Sequence, residues 1–195
     1  VPVVVDPTDQ LLCEGELTDD VIFTGPNPTT SFIWTNDNTS IGLVASGTGD
    51  ILSFTADNTS LVDQDATITV TPEFNGCLGN SQTFVITVKP KPNAFATPVT
   101  QEHCSGENSD EIFFTGDLAG TQYDWSNDNV SIGLSASGIG DIPSFALINS
   151  SSTIQTSTIT VLPSFNGCDG DEITATIIVN PISTVVVSSG IDEYC

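Results

Sequence analysis

Five cysteines stand at positions 13, 77, 104, 168 and 195, and their spacing is regular. Cys13 and Cys104 are 91 residues apart, as are Cys104 and Cys195, and Cys77 and Cys168. Sulfur in such a set can act as a nucleophile, a metal ligand or half of a disulfide. A nucleophile needs a base beside it. His103 is the only histidine and adjoins Cys104, but position 12 is Leu where position 103 is His. Structural zinc sites use closely spaced cysteine pairs, and no CxxC pair occurs. Disulfides in an oxidising, extracellular setting are the chemistry that remains. Paired carboxylates could hydrolyse glycosides, but among 25 Asp and Glu some pair arises from composition alone. There is no Gly-rich phosphate loop opening a helix and no cofactor fingerprint. The chain is expected not to be an enzyme.

The acidic residues offer a second chemistry. Asp37, Asp50, Asp128 and Asp141 recur at the same offset and are flanked by Gly or Asn. Calcium takes six to eight oxygens and tolerates irregular geometry, so these four form one candidate set. Turn residues that cap their own backbone are the competing reading, and EF-hand spacing is absent. Four sequons, at Asn38, Asn58, Asn129 and Asn149, would mark glycosylated surface loops in a eukaryotic secreted protein and in a bacterium read as by-products of Asn/Ser/Thr-rich turns.

The elements that hold these residues come in two copies. Residues 11–90 and 102–181 share 41 identities in 80 ungapped positions. Cys13, Cys104 and Cys195 mark the start of each period, so the chain reads as a slice of a longer tandem array: repeat one at 1–91, repeat two at 92–182, and the first strand of a third at 183–195. The formal charge is −23, and Lys89 and Lys91, each before a proline, are the only basic residues. That excludes nucleic-acid binding, because nothing can displace phosphate counterions. An anionic membrane surface would repel the chain as well, and no apolar run is long enough to span a bilayer. The charge keeps the chain soluble. With no residue ahead of Val1 that reads as a signal peptide, the chain looks like a mature or internal fragment.

Strand patterns fill both repeats. In Thr67–Val70 and Thr158–Val161, Ile and Val alternate with Thr at period two. Phe84, Ile86 and Val88 alternate likewise. Val21–Thr24 and Ile112–Thr115 are short apolar runs closed by glycine. Turn clusters separate these runs, and no helical period is sustained. Each repeat is therefore expected to be an all-β immunoglobulin-like sandwich of about seven strands, anchored in its core by Trp34 or Trp125.

Several motifs occur twice: Trp34–Leu43 and Trp125–Leu134 (W-[TS]-N-D-N-x-S-I-G-L), Ala45–Ile51 and Ala136–Ile142 (A-S-G-x-G-D-I), T-I-T-V, F-N-G-C and a closing V-x-P. On these the chain resembles the PKD-like, immunoglobulin-like repeats of Bacteroidota. The resemblance implies a large secreted surface protein, of the kind that includes gliding-motility adhesins exported by the type IX system.

Two disulfide patterns follow. One pairs Cys13 with Cys77 and Cys104 with Cys168, within each repeat. The other rests on the first and last strands of such a sandwich running the same way along an end-to-end string. Cys13 and Cys77 then lie at opposite ends of a domain, too far apart for a disulfide, which needs Cα atoms within about 7 Å. This favours Cys13 with Cys168, across the repeats, and leaves Cys104 and Cys195 for partners beyond the chain and Cys77 for a preceding repeat. The same topology brings Glu14, Glu16, Asp19 and Asp20 towards Asp169, Asp171 and Glu172. A junctional calcium ion at Glu14, Glu16, Asp19, Asp169 and Asp171 is the second candidate site.

The function expected is structural: a segment of a long extracellular adhesin or surface filament, a disulfide-strapped shaft that projects a tip from the cell. Its partners would be neighbouring repeats and, through the parent protein, surface polysaccharide or other cells. A carbohydrate- or cell-surface-binding module is one alternative, and a spacer of a secreted polysaccharide-degrading enzyme the other.

Overall fold

A computed structural model describes residues 1–182. The expectations placed on 183–195, Cys195 included, lie outside the described residues. The described chain is all-β and forms two compact units, one comprising Val1–Pro92 with Ser164–Gly170, the other Asn93–Pro163 with the chain from Asp171 on.

The first unit holds β1 (Gln10–Cys13), β2 (Ser31–Asn36), β3 (Ser46–Thr48), β4 (Gln64–Phe74), β5 (Cys77–Leu78) and β6 (Gln82–Lys89). They form one sheet in the order β1-β6-β4-β2-β3, with β5 on β4. Only β1 and β6 run parallel, with Cys13 opposite Lys89. Period-two alternation sets the faces. Ala66, Ile68 and Val70 of β4 and Phe84, Ile86 and Val88 of β6 are buried, while Thr67, Thr69 and Thr71 turn outward. Burying each large apolar side chain is worth about 1.5–3 kcal/mol. Val4, Val21, Phe23 and Ile51 cover this face from the second layer, and Trp34 of β2 sits in the core between them.

The second unit repeats the plan with β7 (Phe95–Thr97), β8 (Thr100–Cys104), β9 (Phe113–Thr115), β10 (Gln122–Asn127), β11 (Ser137–Ile139), β12 (Gln155–Phe165), β13 (Cys168–Asp169) and β14 (Ile173–Asn180). Its sheet order is β11-β10-β12-β14-β8, again with one parallel pair, β8 on β14. Trp125, Ile159, Val161, Ile177 and Val179 fill its core.

One difference separates the copies. Residues 113–115 pair with β7 as a ladder, but the matching run Val21–Thr24 keeps only an isolated bridge from Val21 to Ile51 and the bond from Val5 N–H to Thr24 O. In the second unit Asn93 and Asp117 clamp the ribbon reciprocally, at 2.6 and 2.8 Å. Pro2 and Pro26 stand at those positions in the first copy, and neither can donate or accept through its side chain.

Candidate functional site

Cys168 is placed by a hairpin. Asn166 and Gly167 both have positive φ, 49° and 85°, the backbone of the two-residue turn that Asn-Gly favours. Phe165 therefore pairs with Cys168. Asn75 and Gly76 (φ 49° and 77°) make the same turn, and Phe74 pairs with Cys77. This is the physical content of the repeated F-N-G-C motif.

Cys13 is placed by a tight loop after β1. Its N–H donates to Glu16 Oε2 at 2.7 Å, while the Glu16 N–H donates back to Cys13 O at 3.1 Å. Glu14 N–H reaches Lys89 O, and Gly15 N–H reaches Ala56 O. The second copy reproduces the loop bond for bond: Cys104 N–H to Glu107 Oε2 at 2.7 Å, Ser105 N–H to Asn180 O, Gly106 N–H to Leu147 O.

Cys13 and Cys168 are bonded, with Cα atoms 5.6 Å apart. Both fall in the first compact unit, because residues 164–170 of the second sequence repeat group with it. Cys168 is buried. Cys77 and Cys104 are exposed and carry free thiols. The within-repeat pairs fail on distance. Leu12 and Gln64 both pair with Val88, so Cys13 lies by the Gln64 end of β4 and Cys77 by its Phe74 end. The 11 residues between span roughly 33 Å at strand rise. Cys104 and Cys168 flank opposite ends of β12 in the same manner.

Two side chains at this site were not foreseen from sequence. Lys89 Nζ donates to Asn166 O at 2.9 Å, against the base of the hairpin that carries Cys168. Lys91 lines a cleft with Cys13, Glu14, Glu16, Gly167 and Asp169. The available sequence signal was that Lys89 and Lys91, the last residue of β6 and the second after it, are the only Lys or Arg in the chain.

The acidic candidates divide. Glu14, Glu16 and Asp169 share that cleft. Asp19 instead exchanges backbone bonds with the Gln10 side chain, and Asp171 groups with the second unit. Each member of the other set holds one backbone amide: Asp37 takes Thr67 N–H, Asp50 Phe23 N–H, Asp128 Thr158 N–H and Asp141 Phe114 N–H, all at 2.7–2.8 Å. Among the described residues no three His, Cys, Asp or Glu side chains converge as a metal site. His103 faces two exposed carboxylates, with Nε2 3.5 Å from Asp110 and Nδ1 3.9 Å from Glu107.

The sequon asparagines are structural. Asn58, 1% exposed, donates through Nδ2 to Val62 O and Val88 O, and accepts from Ser60 N–H and Oγ–H. Asn149 does the same with Thr153, Val179 and Ser151. Asn38 and Asn129 cap the short 3-10 turns Thr39–Ile41 and Val130–Ile132.

No curated protein matches the chain. Solved structures align over nearly its whole length. The DIP-gamma IG1+IG2 structure is 10% identical, with 94% of this chain and 98% of that one covered and a TM-score of 0.41. The fibronectin(III)-like modules of Clostridium thermocellum CbhA are 14% identical, with 93% and 95% covered and a TM-score of 0.37. Sidekick-1 immunoglobulin domains 1–4 are 14% identical at a TM-score of 0.44, with 93% of this chain covered; the chain spans about half the length of that structure, 49%. The PKD-like domain family model matches twice, at residues 9–92 and 101–183. Among the described residues no helix is long and apolar enough to cross a membrane. The chain therefore belongs to the PKD-like domain family, two copies of which it carries in tandem.

Proposed function

We propose that this chain is a segment of the shaft of a long extracellular adhesin or surface filament, stiffened by disulfide straps, that carries a tip away from the cell. The observation that carries the reading is the Cys13–Cys168 bond, which joins residues 155 apart. The same loop and the same hairpin recur in both copies. The reading therefore continues the pattern along the array: Cys104 bonds the hairpin cysteine of a following repeat, and Cys77 the loop cysteine of a preceding one. Each period is then tied to its neighbour by a covalent bond as well as by its Pro-containing linker. The net charge of −23 keeps such an array soluble. The motif resemblance supports a secreted origin in Bacteroidota and type IX export. The partners of this segment are the neighbouring repeats; contact with surface polysaccharide or other cells belongs to the parent protein.

Pulling the chain by its two ends tests this. A tensile load crosses the bond and bypasses the 155 residues between the two sulfurs. At about 3.6 Å per extended residue, roughly 550 Å of contour stays hidden. The oxidised chain should extend only through its ends, and reduction should release the hidden length as the two sandwiches unfold. Equal contour lengths before and after reduction would contradict the reading.

A further inference from the structure

We propose that the Cys104 loop and the Cys77 hairpin are matched half-sites, and that a second copy of this chain is their partner. Cys104 of one copy bonds Cys77 of the next, in the manner of Cys13 and Cys168. The inference rests on the strap reading above and deepens it by naming the surfaces that fit.

Geometry supplies the first argument. The Cys104 loop has the same three backbone bonds and the same glutamate cap as the Cys13 loop, and the Cys77 turn has the same positive φ pair as the Cys168 turn. Both halves of the bonded site are thus present a second time, with their thiols free and exposed.

Charge supplies the second, independently. The hairpin that carries Cys168 continues Cys-Asp-Gly-Asp-Glu, with three acids, and the loop that receives it lies beside the end of β6, with the only two lysines, Lys89 and Lys91. The hairpin at Cys77 continues Cys-Leu-Gly-Asn-Ser, with no charge. The residues of the Cys104 loop that correspond to Lys89 and Lys91 are Asn180 and Ile182, also uncharged. Glu14 corresponds to Ser105, and Asp169 to Leu78. Cations and anions have been lost together, although they lie on separate segments. The acidic hairpin meets the loop that has two lysines beside it, and the uncharged hairpin matches the loop that has none. Leu78 and Ile182 are 63% and 64% exposed, so the apolar side chains that replace the charges stand uncovered. Beside Cys77 a groove of about 560 Å³, lined by Pro2, Pro26, Thr30, Phe74 and Leu78, is open to receive an incoming loop. Like-charge juxtaposition rejects wrong pairings: an acidic hairpin brought to the Cys104 loop would meet Glu107 with no lysine near it.

The bond forms by exchange with a small disulfide oxidant such as oxidised glutathione. The Cys77 thiolate attacks one glutathione sulfur and releases one glutathione thiolate. Cys104 of the second copy then displaces the other. Two protein thiols are oxidised to one disulfide, one glutathione disulfide is reduced to two thiols, and the two protons pass to the glutathione thiolates.

The test uses the whole chain with Cys195→Ser, so that only Cys77 and Cys104 are free, in a mixed glutathione buffer. Non-reducing electrophoresis should show a ladder of covalent oligomers. Cleavage after glutamate should link the peptide 74–102 to the peptide 103–107, in at least about tenfold excess over 77–77 and 104–104 linkages. Cys77→Ser should abolish the ladder and leave monomer, since only a Cys104–Cys104 dimer could then form. Leu78→Asp should slow oligomer growth by about tenfold, and adding Asn180→Lys and Ile182→Lys should restore it. Absence of oligomers, a Cys77–Cys104 linkage confined to monomer, or a statistical mixture of linkages would overturn the inference. If the Cys13–Cys168 peptide pair is intact in those cases, the strap reading survives without it. A Cys13–Cys77 linkage would overturn both.

Discussion

The indole of Trp34 occupies the space that a side chain on Gly47, its partner across β2 and β3, would fill. Trp125 and Gly138 repeat the relationship in the second unit. Glycine is there because the ring needs the room, which explains the A-S-G segment that follows each tryptophan.

Gly47→Ala should therefore destabilise the first unit by about 1–3 kcal/mol through overpacking. Among the described residues neither indole N–H has a hydrogen-bond partner, so Trp34→Phe loses packing but no bond, whereas Trp34→Ala should cost about 3–5 kcal/mol. Thermal melts of the three variants check the order. Gly47→Ala melting with the parent chain would show that the ring can move aside.

Asn58 is a second pivot, because its side-chain amide bonds two carbonyls from below the surface. Asn58→Asp keeps the shape but removes both donors and sets a carboxylate against carbonyl oxygens. A loss of about 3 kcal/mol is expected, with the same result for Asn149→Asp. The folded chain made in a glycosylating host should carry no glycan at either residue, which intact mass reads directly.

The strand pattern, the tryptophan anchors and the cysteine-bearing turns were legible in the sequence because each depends on neighbours within a few residues. Ile68 and Val70 face inward by alternation alone, and Asn-Gly specifies its turn by its own φ preference. What was not legible depends on distant partners. Lys89 finds Asn166 O across 77 residues, and no local pattern says where a flexible ammonium ends. Asn58 reads as one more turn residue in a polar run, yet it is buried with its amide bonded to Val88 O, 30 residues away. The strand expected at Val21–Thr24 fails because Pro2 and Pro26, outside that run, remove the clamp. The amides that Asp50 and Asp141 hold, Phe23 N–H and Phe114 N–H, lie 27 residues away and have no local signal either.

Asp37, Asp50, Asp128 and Asp141 each hold a backbone amide without a divalent ion, so chelation with EDTA should leave the melting temperature unchanged. A fall of several degrees, restored by calcium, would reinstate a calcium site among Asp37, Asp50, Asp128 and Asp141 or beside Cys13.

Tyr123 gives a pH signature. Its phenol is pushed above the ordinary value of 10.0, first by burial and then by the charges of Asp141 and Asp117. A raised folded-state pKa means that the folded form holds the proton more tightly. The stability this contributes is fully present below pH 10 and is lost as pH rises through the folded pKa. Ultraviolet titration should show one phenol ionising above the ordinary range, and Tyr123→Phe should abolish that step and flatten the alkaline loss of stability.

Cys13 bonds Cys168 across the two sequence repeats. Cleavage after glutamate places Cys13 in peptide 1–14, Cys77 in 74–102, Cys104 in 103–107 and Cys168 in 112–172, so a non-reducing mass map of the monomer separates every pairing. The account expects 1–14 joined to 112–172, with 74–102 and 103–107 free. Peptide 1–14 joined to 74–102, and 103–107 joined to 112–172, would contradict it.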